Sequence, residues 1–300
     1  MKKTFILTLN TVLLTSSLAA AAPQNVWDVS LQQWTIKGSF DYYLHEEGTT
    51  QLLSLVNMPQ NQKMNILNLK YTPNDKQYIK LQYGATSFDS KGRGADSDWQ
   101  NSGSGTITDY GTMGIAGKQK KVAIDFGTVV SKSDKKETSV FWGWEKRDTT
   151  NQIHNVVYHL IGGVNVGDFT QADNGSYLDG SFNEFHFGVA NKYKINHRMS
   201  LSSELSAAYL RAKAYGHWAN HFPPWDWENT GNALGYNLNL EFMYTFNKNM
   251  TAELGYYYSY AKMKNGSERL SDNNGMSANF SGIDLRYKQR GYYFGLTCNL

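Results

Sequence analysis

The chain has one cysteine in 300 residues, Cys298, so it can form no internal disulfide and must be held by packing and backbone hydrogen bonds. A small apolar side chain in the last strand is the reading for that residue. No cysteine cluster accompanies the one His-x-x-x-His spacing, His217 and His221, to suggest zinc, and no glycine-rich phosphate loop follows a strand. The net charge of +3 is too small to argue for a nucleic-acid partner. Beyond the first two dozen residues no apolar run approaches the ~20 residues that a membrane-spanning helix requires, which excludes a helical membrane protein.

What is present points elsewhere. Residues 1 to 22 read as a secretory signal: Lys2 and Lys3 give the basic start, Phe5 to Leu14 the apolar run, and Ala19 to Ala22 the small-residue cleavage sites. Residues 23–300 then read as one domain. Aromatics are abundant, with 20 Tyr, 8 Trp and 14 Phe, although mean hydropathy is polar. An exported chain that is polar on average but carries aromatic, alternating segments suits a closed transmembrane β-barrel.

Period-two alternation recurs. Leu238, Leu240, Phe242 and Tyr244 oppose Asn237, Asn239 and Glu241. Leu254, Tyr256, Tyr258 and Tyr260 oppose Glu253, Gly255 and Ser259, and Phe185, Phe187 and Val189 oppose His186 and Gly188. Short polar turns at 73–75, 131–136, 195–197 and 247–249 alternate with longer polar stretches at 89–110, 161–175, 217–231 and 266–279. That asymmetry, with segments near 29–44 and 50–71, predicts an all-β, antiparallel up-and-down barrel of about ten strands with long extracellular loops. Tyr292, Phe294, Leu296 and Cys298 run in the opposite phase to Ile283, Leu285 and Tyr287, which predicts a bulge between them. A barrel of this size has a filled interior, so Glu241, Glu253, Asp284, Arg286 and Lys288 are expected as a structural lumen network and a small porin is disfavoured.

Function is then expected at the upper rim. In Gly92-Arg93-Gly94-Ala95-Asp96-Ser97-Asp98-Trp99, the two carboxylates lie at i and i+2, on one face if the backbone is extended. Close carboxylates raise one another's pKa and can hold and polarise a water. The pair lacks the graded oxygen ligands of a calcium loop.

Tyr43-Leu44-His45-Glu46-Glu47-Gly48 resembles the first loop of the omptins, outer-membrane endopeptidases of Gram-negative bacteria. Ala85-Thr86-Ser87 through Asp96-Ser97-Asp98-Trp99 is similar to their second loop with its Asp-x-Asp-Trp motif, Asn247 to Ala252 to the turn before the ninth strand, and Lys264-Asn265-Gly266 with Asp272-Asn273-Asn274 to the fifth loop. The similarity is diffuse but collinear over nearly the whole mature chain. It implies a monomeric ten-stranded barrel in the outer membrane that hydrolyses peptide bonds with a water held between an Asp pair and an Asp-His pair. Asp96 and Asp98 match the first pair.

The second pair departs from the family pattern. His221-Phe222 matches the His-aromatic step with Ala219 where the acid belongs; His217 is the alternative, with Tyr215 at the acid position. Asp226 or Glu228 is left to supply the carboxylate. Phe40, beside Asp41, stands where the family has a Glu that recognises basic side chains, and Trp225 and Asp226 complete the expected substrate contacts. The resemblance implies no cofactor but lipopolysaccharide as an activating lipid; Lys146 and Arg147 lie near one lipid-contact position and Ser181 replaces an arginine at another. The loop aromatics Trp218, Phe222, Trp225 and Trp227 also suit a flat sugar or peptide, so a catalytically silent adhesin or ligand-binding barrel is the alternative function.

Overall fold

The computed structural model describes residues 26–46, 48–99, 105–171, 175–219, 224–272 and 274–300, with only the backbone at 91 and 92. The expected signal at 1–22 lies outside the described residues, as do His221 and Phe222. Twelve strands occur in chain order: β1 (Val26–His45), β2 (Leu52–Pro59), β3 (Gln62–Asn74), β4 (Gln77–Asp98), β5 (Asp109–Lys132), β6 (Lys136–Ile161), β7 (Val164–Gln171), β8 (Tyr177–Lys194), β9 (Met199–Trp218), β10 (Trp225–Asn247), β11 (Met250–Asp272) and β12 (Ser277–Asn299). β2 and β3 are two halves of one staggered strand against β1, and β7 folds back on β6 outside the main path. The remaining antiparallel pairings, with β12 closing on β1, make a ring of ten. The chain is thus a transmembrane antiparallel β-barrel.

Closure pairs every strand of the ring on both sides, as a spanning structure in lipid requires. The tight turns fall at one end, together with the start of β1 and the close of β12. The polar stretches expected as loops are mostly strand instead: β4 continues to Asp98, β10 begins at Trp225 and β7 occupies 164–171. The 26 residues of β6 and 24 of β5 far exceed the ~9–11 needed to cross a bilayer, so the wall continues above it.

The two halves of the barrel have opposite sidedness. In the lower half the outer face is greasy: Tyr83, Trp144, Phe185, Tyr209, Tyr236, Leu254 and Phe294 are all exposed. The lumen there is polar. Lys121 pairs with Glu145 at 2.9 Å, Arg147 pairs with the same carboxylate, and Ser30 Oγ and Gln32 Nε2 donate to Glu253 Oε2 at 2.9 and 2.8 Å. In the upper half the lumen is apolar, packed by Phe40, Met58, Ile115, Leu178, Met263 and Leu285. β12 shows the switch directly. Phe294 is 58% exposed outside while Leu285 is 1% exposed inside.

This switch corrects two expectations. No register shift separates Tyr287 from Tyr292, so there is no bulge; one face stays inside throughout, and it is the environment that changes. Asp284, Arg286 and Lys288 therefore lie on the outer face, where Lys262 Nζ meets Asp284 Oδ2 at 2.9 Å and Arg286 lies 4.8 Å over the Tyr43 ring. Only Glu241 and Glu253 belong to the lumen network. Cys298 is a free, half-buried thiol in β12.

Candidate functional site at the upper rim

The Asp pair sits at the upper end of β4. Ala95 to Asp98 pair with Asn57 to Ser54 of β2 on one side and with Thr112 to Asp109 of β5 on the other. A side chain at Gly94 would press against Met113 and Ile115 of the lumen core, so Gly94 faces inward. Asp96 and Asp98, two and four residues on, face the same volume. The extended geometry on which the i, i+2 argument depends is present.

Asp96 Oδ1 is buried and meets no protein hydrogen-bond donor. Burial drives its pKa well above the ordinary carboxylate range, and the charges of Asp98 and Asp109 push the same way against the N–H of Ser97. In the same register row, one strand away through Val56, Tyr42 of β1 donates to Glu268 Oε2 at 2.7 Å. Burial raises Glu268, with the Tyr42 hydrogen bond opposing. Tyr42 is itself pushed up by burial, then by Glu268, then by Asp96 and Asp98. The three carboxylates and the phenol thus form one acidic group above the apolar core. Trp227 and Trp218 border it with ring centroids 5.9 Å apart, and the indole N–H of Trp227 is buried without a partner.

The remaining expected residues divide between the two faces of the wall. Phe40 is fully buried below the rim, packed edge-on against Phe182 at 5.7 Å. Asp41 points outward, accepting from Asn57 Nδ2 at 2.5 Å and Ser39 Oγ at 3.2 Å. Trp225 pairs with Trp218 on the lumen side. His217 and Asp226 form a close pair, Nδ1 to Oδ1 at 2.6 Å. Gly216 and Trp227 oppose each other on the lumen face, however, so the neighbouring His217 and Asp226 lie on the outer face with Tyr177 stacked on the imidazole at 5.7 Å. The carboxylate partner is found, but it directs His217 away from Asp96 and Asp98.

Arg147 is also displaced from its expected place. It is buried in the lumen against Glu145, leaving Lys146 outside near Asp148, whose Oδ1 accepts from Ser181 Oγ at 2.7 Å. Among the described residues no group of three or more His, Cys, Asp or Glu side chains is placed to hold a metal. Tyr42 and Glu268 were not singled out from the sequence. Tyr42 carries a signal, lying at i+2 from the inward Phe40. Glu268 does not, because register shifts around Gly266 move the inward face from odd to even positions.

No family model and no curated protein matches the sequence. Among solved structures, the chain is similar to the outer membrane protease OmpT of Escherichia coli, with a TM-score of 0.82 and 13% identity over 93% of this chain and 98% of that one. The translocator domain of the Neisseria meningitidis autotransporter NalP follows at a TM-score of 0.42 and 9% identity, covering 99% of this chain and 95% of that one. At such identity the likeness to OmpT is one of fold, and that fold is an outer-membrane barrel.

Proposed function

We propose that this barrel is an outer-membrane peptide hydrolase working at its extracellular rim, with Asp96 and Asp98 as the water-holding pair. The observation that carries this reading is the lumen-facing pair itself: Asp96 is raised by burial, and one of its oxygens has no protein partner. Two carboxylates sharing one proton supply an acid and a base from the same site. Asp98, as the base, takes a proton from the attacking water while Asp96 donates its proton to the carbonyl oxygen; as the C–N bond breaks, Asp98 passes the water's proton to the leaving nitrogen and the former carbonyl oxygen returns its proton to Asp96. Trp218 and Trp225 offer flat apolar contact for an extended substrate. His221, which lies outside the described residues, is the histidine left to assist Asp98 as base. An acidic rim with Tyr42 and Glu268 suits a substrate carrying cationic side chains.

A diverse peptide library presented to the refolded barrel, with and without lipopolysaccharide, tests the reading. Turnover by the wild type that vanishes in Asp96→Ala/Asp98→Ala supports it; equal turnover in the double variant overturns it. The fact that no described histidine faces the pair favours a second reading, a binding barrel. That reading expects no turnover from folded protein, and peptide binding that disappears on Trp225→Ala.

A further inference from the structure

On the outer face of the same rim, facing away from the Asp pair, Thr112, His159 and Asp168 form an ordered relay. His159 Nδ1 lies 2.5 Å from Asp168 Oδ1, so the ring N–H donates there and leaves Nε2 as an acceptor. Thr112 Oγ1 lies 3.1 Å from that Nε2. A hydroxyl, the imidazole that can take its proton and the carboxylate that fixes the tautomer stand in the order required of a nucleophile, a base and a positioning acid. Tyr110 stacks on the imidazole at 5.2 Å and fixes its plane.

Three further features single out this place. Arg93 Nη2 donates to the carbonyl oxygens of Thr112 at 3.3 Å and Asn155 at 3.1 Å, which anchors a cation at the backbone of the hydroxyl residue. Asp168 and Asn155 hold φ of 61° and 50°, two of the three left-handed non-glycine residues among those described. Backbone in that region is costly and concentrates at functional sites. Finally, the group is open to solvent: the Asp168 side chain is 75% exposed and His159 31%.

We propose that Thr112, His159 and Asp168 constitute a second hydrolytic site, on the outer wall, that cleaves small carboxylic esters. Thr112 Oγ bonds to the ester carbonyl carbon as its proton passes to His159 Nε2, with the Arg93 cation beside the developing oxyanion. The bond to the alcohol oxygen breaks and that oxygen takes the proton from Nε2. Water then attacks the acyl-threonine, His159 takes its proton, and Thr112 Oγ leaves and is reprotonated. The net reaction is ester plus water to acid plus alcohol. Thr112 and His159 are the catalytic residues and Asp168 positions the imidazole.

The test is hydrolysis of p-nitrophenyl acetate by the refolded full-length barrel, with mass-spectrometric mapping of a fluorophosphonate label. Turnover is expected to fall at least ~10²-fold in Thr112→Ala and in His159→Gln, to survive in Thr112→Ser, and to drop in kcat more than in KM for Asp168→Ala. The label is expected on Thr112. Asp96→Ala/Asp98→Ala is expected to keep the esterase activity, which separates this site from the peptide hydrolase. Equal turnover by folded wild type and Thr112→Ala, or a label on another residue, overturns the proposal.

Discussion

His217 and Asp226 are direct partners across β9 and β10, 2.6 Å apart, on the face of the wall opposite Asp96 and Asp98. Facing decides their role more than proximity does. Peptide hydrolysis in His217→Ala is expected to stay within ~2-fold of wild type, whereas His221→Ala is expected to lower it by ~10²-fold or more if that residue is the base. The Asp226 side chain is 49% exposed, so Asp226→Ala is expected to cost under ~1 kcal/mol of stability. Parallel kinetics and chemical denaturation of the three variants check this.

The raised carboxyl of Asp96 links activity to stability. Because its pKa is higher folded than unfolded, the folded state binds more protons between the ordinary carboxylate range and the folded pKa. Wild-type stability therefore falls as pH rises through that window, and the cost of the buried charge is fully present above it. Asp96→Asn removes the titration. The variant is expected to lack peptide hydrolysis, to match the wild type at acid pH and to exceed it in denaturant midpoint at alkaline pH.

Much of this was legible because a strand keeps one face. The alternation around Leu254, Phe185 and Leu240 gave the lipid belt, and the i, i+2 spacing put Asp96 and Asp98 on one face, which only the structure shows to be the lumen face. What failed was the meaning of a phase change. Ile283 and Leu285 oppose Tyr292 and Phe294 because the solvent outside changes from water to lipid along β12, which sequence alone reads as a bulge. Where real shifts occur, as at Gly266, they carry Glu268 into the lumen without a residue-type signal. The His217–Asp226 and Thr112–His159–Asp168 groups join residues of different strands, so their meeting depends on register that turn composition did not specify.

The apolar layer beneath the rim should govern the stability of the upper wall. Phe40 is wholly buried and meets Phe182 edge to face. Phe40→Ala opens a cavity there and is expected to cost ~3–5 kcal/mol. Phe40→Leu, which keeps most of the volume, is expected to cost less than half of that. Guanidinium unfolding of both variants in lipid vesicles gives the comparison. A similar loss from the two would mean that the layer is not packed as described.

Below that layer the lumen should be closed to ions. A polar cavity of about 370 Å³ lies toward the short-turn end, bounded above by Trp34, Lys121 and Glu145. Lys121 and Arg147 converge on Glu145, and the apolar plug covers them from the other side. An ion crossing the barrel would have to break this network and then enter a dry layer, so wild-type protein is expected to show no steady single-channel conductance in planar bilayers. Glu145→Ala leaves two buried cations without their common anion, and such a loss is expected to cost ~3–5 kcal/mol. Replacing all three by apolar residues of similar volume removes the uncompensated charges and is expected to recover most of that loss. Since the plug above is untouched, the triple variant should still not conduct. Steady conductance in wild type would show that the lumen is a pore, whereas conductance in the triple variant alone would place the seal in the charge network and not in the layer around Phe40.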